Sequence, residues 1–263
     1  MNLQTALAAA AALVALAFSF ATFDRWLDRR RRHELAWSVS LVMFAVGSGA
    51  LWYGAASGWG PLSFRLFYLF GAILNVPFLA LGTVYLLAGQ RVGDRWAAAV
   101  SLASAFAAGV VLVAPLRAPV PSLRLPQGSD VFGPLPRVMA AVASGAGATV
   151  VLAGAVWSAW RLLRARRTAS AGPTPAPVPP ARLAGANLLI AAGTGVLAAG
   201  GLFNSVLDEM EAFAASLLVG IMLLFAGFLV ATSAGPTVAA TTVAEPAAEP
   251  RAPSRTTESV GGA

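Results

Sequence analysis

Seven apolar stretches, each close to the length a bilayer demands, run through the chain near 3–23, 35–57, 66–88, 96–116, 138–160, 183–204 and 213–233. About 20 mostly apolar residues in a helix cross the roughly 30 Å of bilayer hydrocarbon, and a helix is suited to the crossing because it satisfies its own backbone polar groups. The expectation is therefore all-α: a seven-helix transmembrane bundle over residues 1–233, with a polar tail from 234 to 263.

Composition agrees with the pattern. Hydrophobic residues make up 58% of the chain and charged residues 11%, too few charges to coat a soluble globule. The mean hydropathy is +0.74. A pI near 11.3 would suggest nucleic acid in a soluble protein. Here the basic residues sit in short links beside apolar stretches, so the expected partner is the lipid bilayer and not nucleic acid.

The links alternate between arginine-rich and arginine-poor. Arg25, Arg29, Arg30, Arg31, Arg32, Arg91, Arg95, Arg161, Arg164, Arg166, Arg167 and Arg182 fall on one side, against Arg65, Arg117, Arg124 and Arg137 on the other. Basic residues are retained on the cytoplasmic side, so the N-terminus is expected outside and the C-terminus in the cytoplasm of a cell (plasma) membrane protein. The first stretch has its basic cluster after it, the reverse of a secretory signal. Trp26, Trp37, Trp96, Trp157 and Trp160 near one set of ends, and Trp52, Tyr53 and Trp59 near the other, are expected to anchor the helices at headgroup level.

Two segments stand apart from the bundle. The link after Arg161 opens as a helical extension through Arg164 and becomes Pro-rich at Pro173, Pro175, Pro177, Pro179 and Pro180, where missing amide donors prevent a helix. The tail, rich in Ala, Thr, Pro and Glu, is expected to be disordered and cytoplasmic. The link from Arg117 to Arg137, with five prolines, is expected to lie as a loop over the outer face.

Inventory removes several chemistries. There is no cysteine and no lysine, and His33, the one histidine, lies in the first link. Thiolate metal sites, bis-histidine haem, multi-histidine zinc and a retinal Schiff base are thereby excluded, and no cofactor or metal is expected. The eleven acidic residues all fall in links, helix ends or the tail, so no carboxylate is expected at mid-membrane for a proton relay.

The third stretch carries the most informative residues. Arg65 stands at its outer end, and Tyr68, Gly71, Asn75, Gly82 and Tyr85 recur near one stripe of a 3.6-residue helix, expected to face the interior. Pro77 has no amide to offer the carbonyl of Ile73, which predicts a kink beside Asn75. Asn187 and Asn204 in the sixth stretch, and Asp208, Glu209 and Glu211 in the link after it, complete the candidate ligand-binding set with Arg65, Tyr68, Asn75 and Pro77. The acidic cluster is expected to be solvated or to pair with Arg65 or Arg137. Small residues at Ala141, Gly145 and Thr149, and at Ala191, Gly195 and Ala199, are expected to form packing faces inside the bundle, with an oligomer contact as the functional alternative.

In topology the arrangement resembles the seven-helix sensory regions that precede bacterial signalling domains, over residues 1–233 and on helix count rather than on a motif. That resemblance implies a non-enzymatic sensor or adaptor with an outer-facing pocket bounded by spans two, three, six and seven, and an output through a separate partner. Two other readings stand beside it: a transporter or lipid-handling protein for an uncharged or amphipathic cargo, and an accessory subunit packing through its small-residue faces as a homo-oligomer or against another membrane protein.

Overall fold

Helix starts and stops in this chain follow local chemistry. Pro61, Pro134 and Pro180 each open a helix, where a fixed φ is favourable and a missing amide costs nothing. Ser63 hydrogen-bonds both to the amide (3.0 Å) and to the carbonyl (3.1 Å) of Gly60, closing the entry to the third helix. Ala114, held extended in front of Pro115 at ψ 129°, ends the fourth, as a residue preceding proline tends to do.

A computed structural model describes residues 3–122, 124–168, 180–207 and 210–232, without the side chains of 162, 163, 165–168, 180, 181, 202–207, 210 and 232. It is all-helical among the described residues, and seven of its helices are long and apolar enough to cross a membrane. They are α1 (Leu3–Arg29), α2 (Arg32–Ser57), α3 (Pro61–Ala88), α4 (Gln90–Val113), α5 (Pro134–Thr168), α6 (Pro180–Leu207) and α7 (Met210–Thr232). Most run several residues past the apolar stretch on which they are built, and α4 begins six residues earlier than expected, at Gln90, because Gly89 alone makes the preceding turn. Gly89 has φ +83° and Gly58, after α2, has φ +91°, a region that favours glycine. Arg30, at φ 51°, makes the turn between α1 and α2 without that freedom.

The extensive contacts connect α1 to α2, α2 to α3, α3 to α5, α5 to α6, α6 to α7 and α7 back to α1. These six helices form a ring, and α4 packs outside it on α3. One apolar core gathers at the arginine-poor end around Leu51, Phe64, Phe67, Ile73 and Phe132. A second joins α1, α2 and α7 through Phe18, Phe44, Ile221 and Phe228.

Two expected packing faces change sides. Ala141, Gly145 and Thr149 lie on the exposed face of α5, and nothing approaches the position of a Gly145 Cβ; the buried glycines are Gly147 and Gly154, against Val76 and Thr83 of α3. On α6 the close approach is made by Ala186, Gly193 and Gly200 against Gly227, Gly220 and Ser216 of α7; Gly195 meets no neighbour and Ala199 is exposed. Spacing of small residues identified the helices but not the faces, because each helix is apolar all round. The extension past Arg161 is helical to Thr168, while the Pro-rich run (apart from Pro180) and the tail lie outside the described residues.

Candidate functional site

Helix α3 is where the backbone departs from regularity. Between Pro61–Leu66 and Asn75–Ala88 it passes through a π-helical stretch, Phe67–Leu74, just before Pro77, whose missing amide removes a rung of the ladder. Two hydroxyls from neighbouring helices meet the carbonyls there. Ser144 of α5 donates to Ala72 O at 2.5 Å and Ser40 of α2 donates to Asn75 O at 2.7 Å, the kind of contact that re-satisfies backbone groups in apolar surroundings. Asn75 is buried, and its Oδ1 has no hydrogen-bond partner.

The π stretch also divides the expected stripe. Its i→i+5 bonds turn the chain less per residue than an α-helix does, so residues on either side do not share one 3.6-residue face. Tyr68 packs under Gly128 of the link between α4 and α5, Gly71 lies against Gly47 of α2, Gly82 receives the indole of Trp37, and Tyr85 lies on Gly93 of α4. Tyr68, Asn75 and Gly82 are buried; Gly71, Pro77 and Tyr85 are half-buried.

Arg65 is engaged with backbone. Its guanidinium donates to the carbonyls of Val111 and, at 2.7 Å, Ala114, closing the C-terminal end of α4, and it lies 5.8 Å from the ring centroid of Phe132. A cation on terminal helix carbonyls is favourable in its own right. Arg65 thus acts as a helix cap, and the pairing considered for it with Asp208 and Glu209 falls on residues outside those described. Asp208 and Glu209 lie outside the described residues, as does the side chain of Asn204, and Glu211 is exposed. Asn187 donates to Ser158 of α5 at 3.0 Å. Arg65 and Tyr68 thus meet around Phe132, Asn75 and Pro77 sit deeper in α3, and Asn187 and Glu211 lie elsewhere on α6 and α7.

The link between α4 and α5 does lie over the arginine-poor end, as expected of it. Leu125, Val131 and Phe132 are almost fully buried; Phe132 stacks on Phe64 at 5.2 Å and tilts against Tyr68 at 5.0 Å. This aromatic plug belongs to the apolar core at that end. Trp59, expected as a surface anchor, is 6% exposed and lies on Gly54, with its edge toward Phe67. Trp37, also expected as an anchor, is half-buried with its indole over Gly82, whereas Trp52, Tyr53, Trp96, Trp157 and Trp160 are exposed.

An open groove of about 560 Å3 lies beside the plug. Val46, Ala50, Leu62 and Leu66 form its apolar walls; Tyr53, Ser57 and Ser122 bring hydroxyl groups to it, and the turn from Gly58 to Pro61 edges it. The amide of Trp59 donates to Ser122 O at 3.1 Å, tying that turn to the link between α4 and α5. The lining comes from α2, α3 and two links, so spans six and seven, expected as walls, do not line it. The sequence did carry a signal here, the tripeptide Gly58-Trp59-Gly60 before Pro61, in which a tight turn and a large ring coincide.

At the arginine-rich end the same helices meet a charged network. Arg32 of α2 pairs with Asp94 of α4, Tyr85 of α3 donates to the same carboxylate oxygen at 2.9 Å, and Gln90, in the amide orientation that satisfies both groups, accepts from Arg32 Nε at 2.9 Å. Nearby Glu34, 2% exposed, lies beside Arg25 of α1. Sequence reasoning treated Glu34 as a link charge; its spacing of four from Ser38 and seven from Leu41, both buried, marks the inward face. Among the described residues no group of three His, Asp or Glu side chains converges as metal ligands. The groove offers apolar wall and hydroxyl groups. No family model, curated protein or solved structure matches the chain.

Proposed function

We propose that the chain is a non-enzymatic multi-pass sensor or adaptor of the plasma membrane, N-terminus outside and C-terminus cytoplasmic, whose ligand enters the groove at the outer ends of α2 and α3. One observation carries this reading: the two helices that wall the groove also reach the charged network at the far end, through Arg32 and Tyr85. Between the two sites α3 contains the π stretch and the unpartnered Asn75 amide oxygen, a place where a change of register has a small backbone cost. Ligand occupancy at one end then biases the spacing of helix ends at the other. The orientation is supported by the arginine bias. A reporter fused to the C-terminus and found outside the cytoplasm overturns it.

The chain has no cysteine of its own, so a spin-label pair at Asp28→Cys and Arg91→Cys reports on α1 and α4 without background. Filling the groove with Ala50→Phe is expected to shift the distance distribution between the labels. An unchanged distribution argues against transmission, and solute flux in proteoliposomes favours the transporter reading instead. A second reading, as an accessory subunit or homo-oligomer, is supported by the exposed face of α5, where Ala141, Gly145, Thr149 and Ala153 recur every four residues.

A further inference from the structure

We infer that the groove takes an uncharged, single-chain amphiphile with a hydroxyl-bearing head, drawn from the outer leaflet. This inference rests on the sensor reading for its location and names the chemistry of the ligand. The first argument is charge. No Arg, Asp or Glu lines the groove, and the guanidinium of Arg65, next in sequence to the lining residue Leu66, is committed to the carbonyls of Val111 and Ala114. An ionised phosphate head in the groove loses water without gaining a counter-charge. A quaternary ammonium is held by a cage of several aromatic faces, and of the two aromatic residues lining the groove only Tyr53 is exposed, since the indole of Trp59 lies on Gly54 with Phe64 and Phe67 around it.

The second argument is shape. From Val46 to Ser57 the lining descends about three turns of α2, about 16 Å at 1.5 Å per residue, or roughly half the 30 Å hydrocarbon core. The apolar residues Val46, Ala50 and Leu66 wall it, Ser57 is the last residue of α2, and Ser122 comes from the link between α4 and α5. A volume of about 560 Å3 falls within the range of small-ligand sites. An apolar wall one leaflet deep, ending in hydroxyls at headgroup level, matches a molecule with one hydrocarbon chain and a head that both donates and accepts hydrogen bonds.

The test is native mass spectrometry of the full chain in detergent, titrated separately with monoolein, phosphatidylcholine and phosphatidylglycerol. Monoolein is expected to be retained one to one and at least tenfold more tightly than either phospholipid. Ala50→Phe is expected to abolish that retention, and the double variant Ser57→Ala/Ser122→Ala, which leaves the walls intact, to weaken it about 3- to 10-fold. Equal or tighter retention of either phospholipid overturns the inference, as does monoolein binding that neither variant changes. The spin-label pair separates this from the sensor reading. Monoolein retained without a distance change supports the ligand class and defeats the sensor; a distance change driven by phosphatidylglycerol alone defeats the ligand class and leaves the sensor standing.

Discussion

The Nε of Arg25 lies 3.5 Å from a carboxylate oxygen of Glu34, linking α1 to α2, and the Arg25 guanidinium also sits 5.1 Å from the ring centroid of Phe228 on α7. Glu34 is 2% exposed and its second oxygen has no partner. Removing one member of a buried pair strands the other charge, at a cost of about 3–5 kcal/mol. Glu34 is the deeply buried partner, so Arg25→Leu is expected to lower the melting temperature in detergent sharply, and Arg25→Leu/Glu34→Leu to recover much of the loss. A double variant no more stable than Arg25→Leu contradicts the pairing.

Gly82 gives way to Trp37, whose indole would lie 2.2 Å from a Cβ at that position while its Nε1 donates to Leu79 O at 3.2 Å. Gly82→Ala is expected to destabilise by about 1–3 kcal/mol through overpacking. Adding Trp37→Leu should restore most of this in a thermal melt, because the obstructing ring is gone.

Arg65 caps α4. Arg65→Met is expected to cost about 1.5–3 kcal/mol by leaving the carbonyls of Val111 and Ala114 without their charged donor. Arg65→Lys recovers only part of it, since an ammonium lacks the planar fork that reaches both oxygens. Hydrogen exchange at the C-terminal turn of α4 is the measurement, and exchange that Arg65→Met leaves unchanged rules out the cap.

Asn75 has an unpartnered, buried amide oxygen, so it contributes little to the stability of the empty protein. Asn75→Leu is expected to change the melting temperature in ligand-free detergent by less than about 1 kcal/mol equivalent, or to raise it. A large loss would show that the amide is satisfied in the folded bundle.

Gly147 and Gly145 differ by two residues and by their surroundings. A Cβ at Gly147 would lie 2.8 Å from Val76, whereas one at Gly145 meets nothing. Gly147→Leu is expected to destabilise the chain by at least about 1–3 kcal/mol, and Gly145→Leu to stay within about 0.5 kcal/mol. If cross-linking shows a homo-oligomer, Gly145→Leu is the variant expected to disperse it.

What was legible beforehand depended on how many residues share the information. Each helix is announced by about twenty side chains, so an error at one position changes nothing, and the turns around Arg30 and Gly89 sit where apolar character lapses. The candidate site rested on single residues. Asn75 was found because one amide stands out in an apolar helix, and Arg65 because one charge stands at its end. The role of Arg65 as a cap depends on where α4 stops, which its own neighbours in sequence do not encode. Trp59 and Glu34 were assigned to the surface by type, and both are buried: Trp59 folds back over Gly54 in the last turn of α2 and packs on Phe64 and Phe67, and Glu34 is met by Arg25 of α1.

By itself the sequence determined that seven helices form and roughly where each begins, because the length of an apolar run and the prolines and glycines at its ends act locally. Tertiary structure decided which face of each helix is covered. In helices apolar on every side hydropathy carries no direction, and the choice falls to shape: an indole over Gly82, a valine against Gly147, a π-helical stretch that turns the two ends of α3 toward different neighbours. The groove between α2 and α3 arises from that choice, since its lining residues come from two helices and two links that only the packed ring brings together.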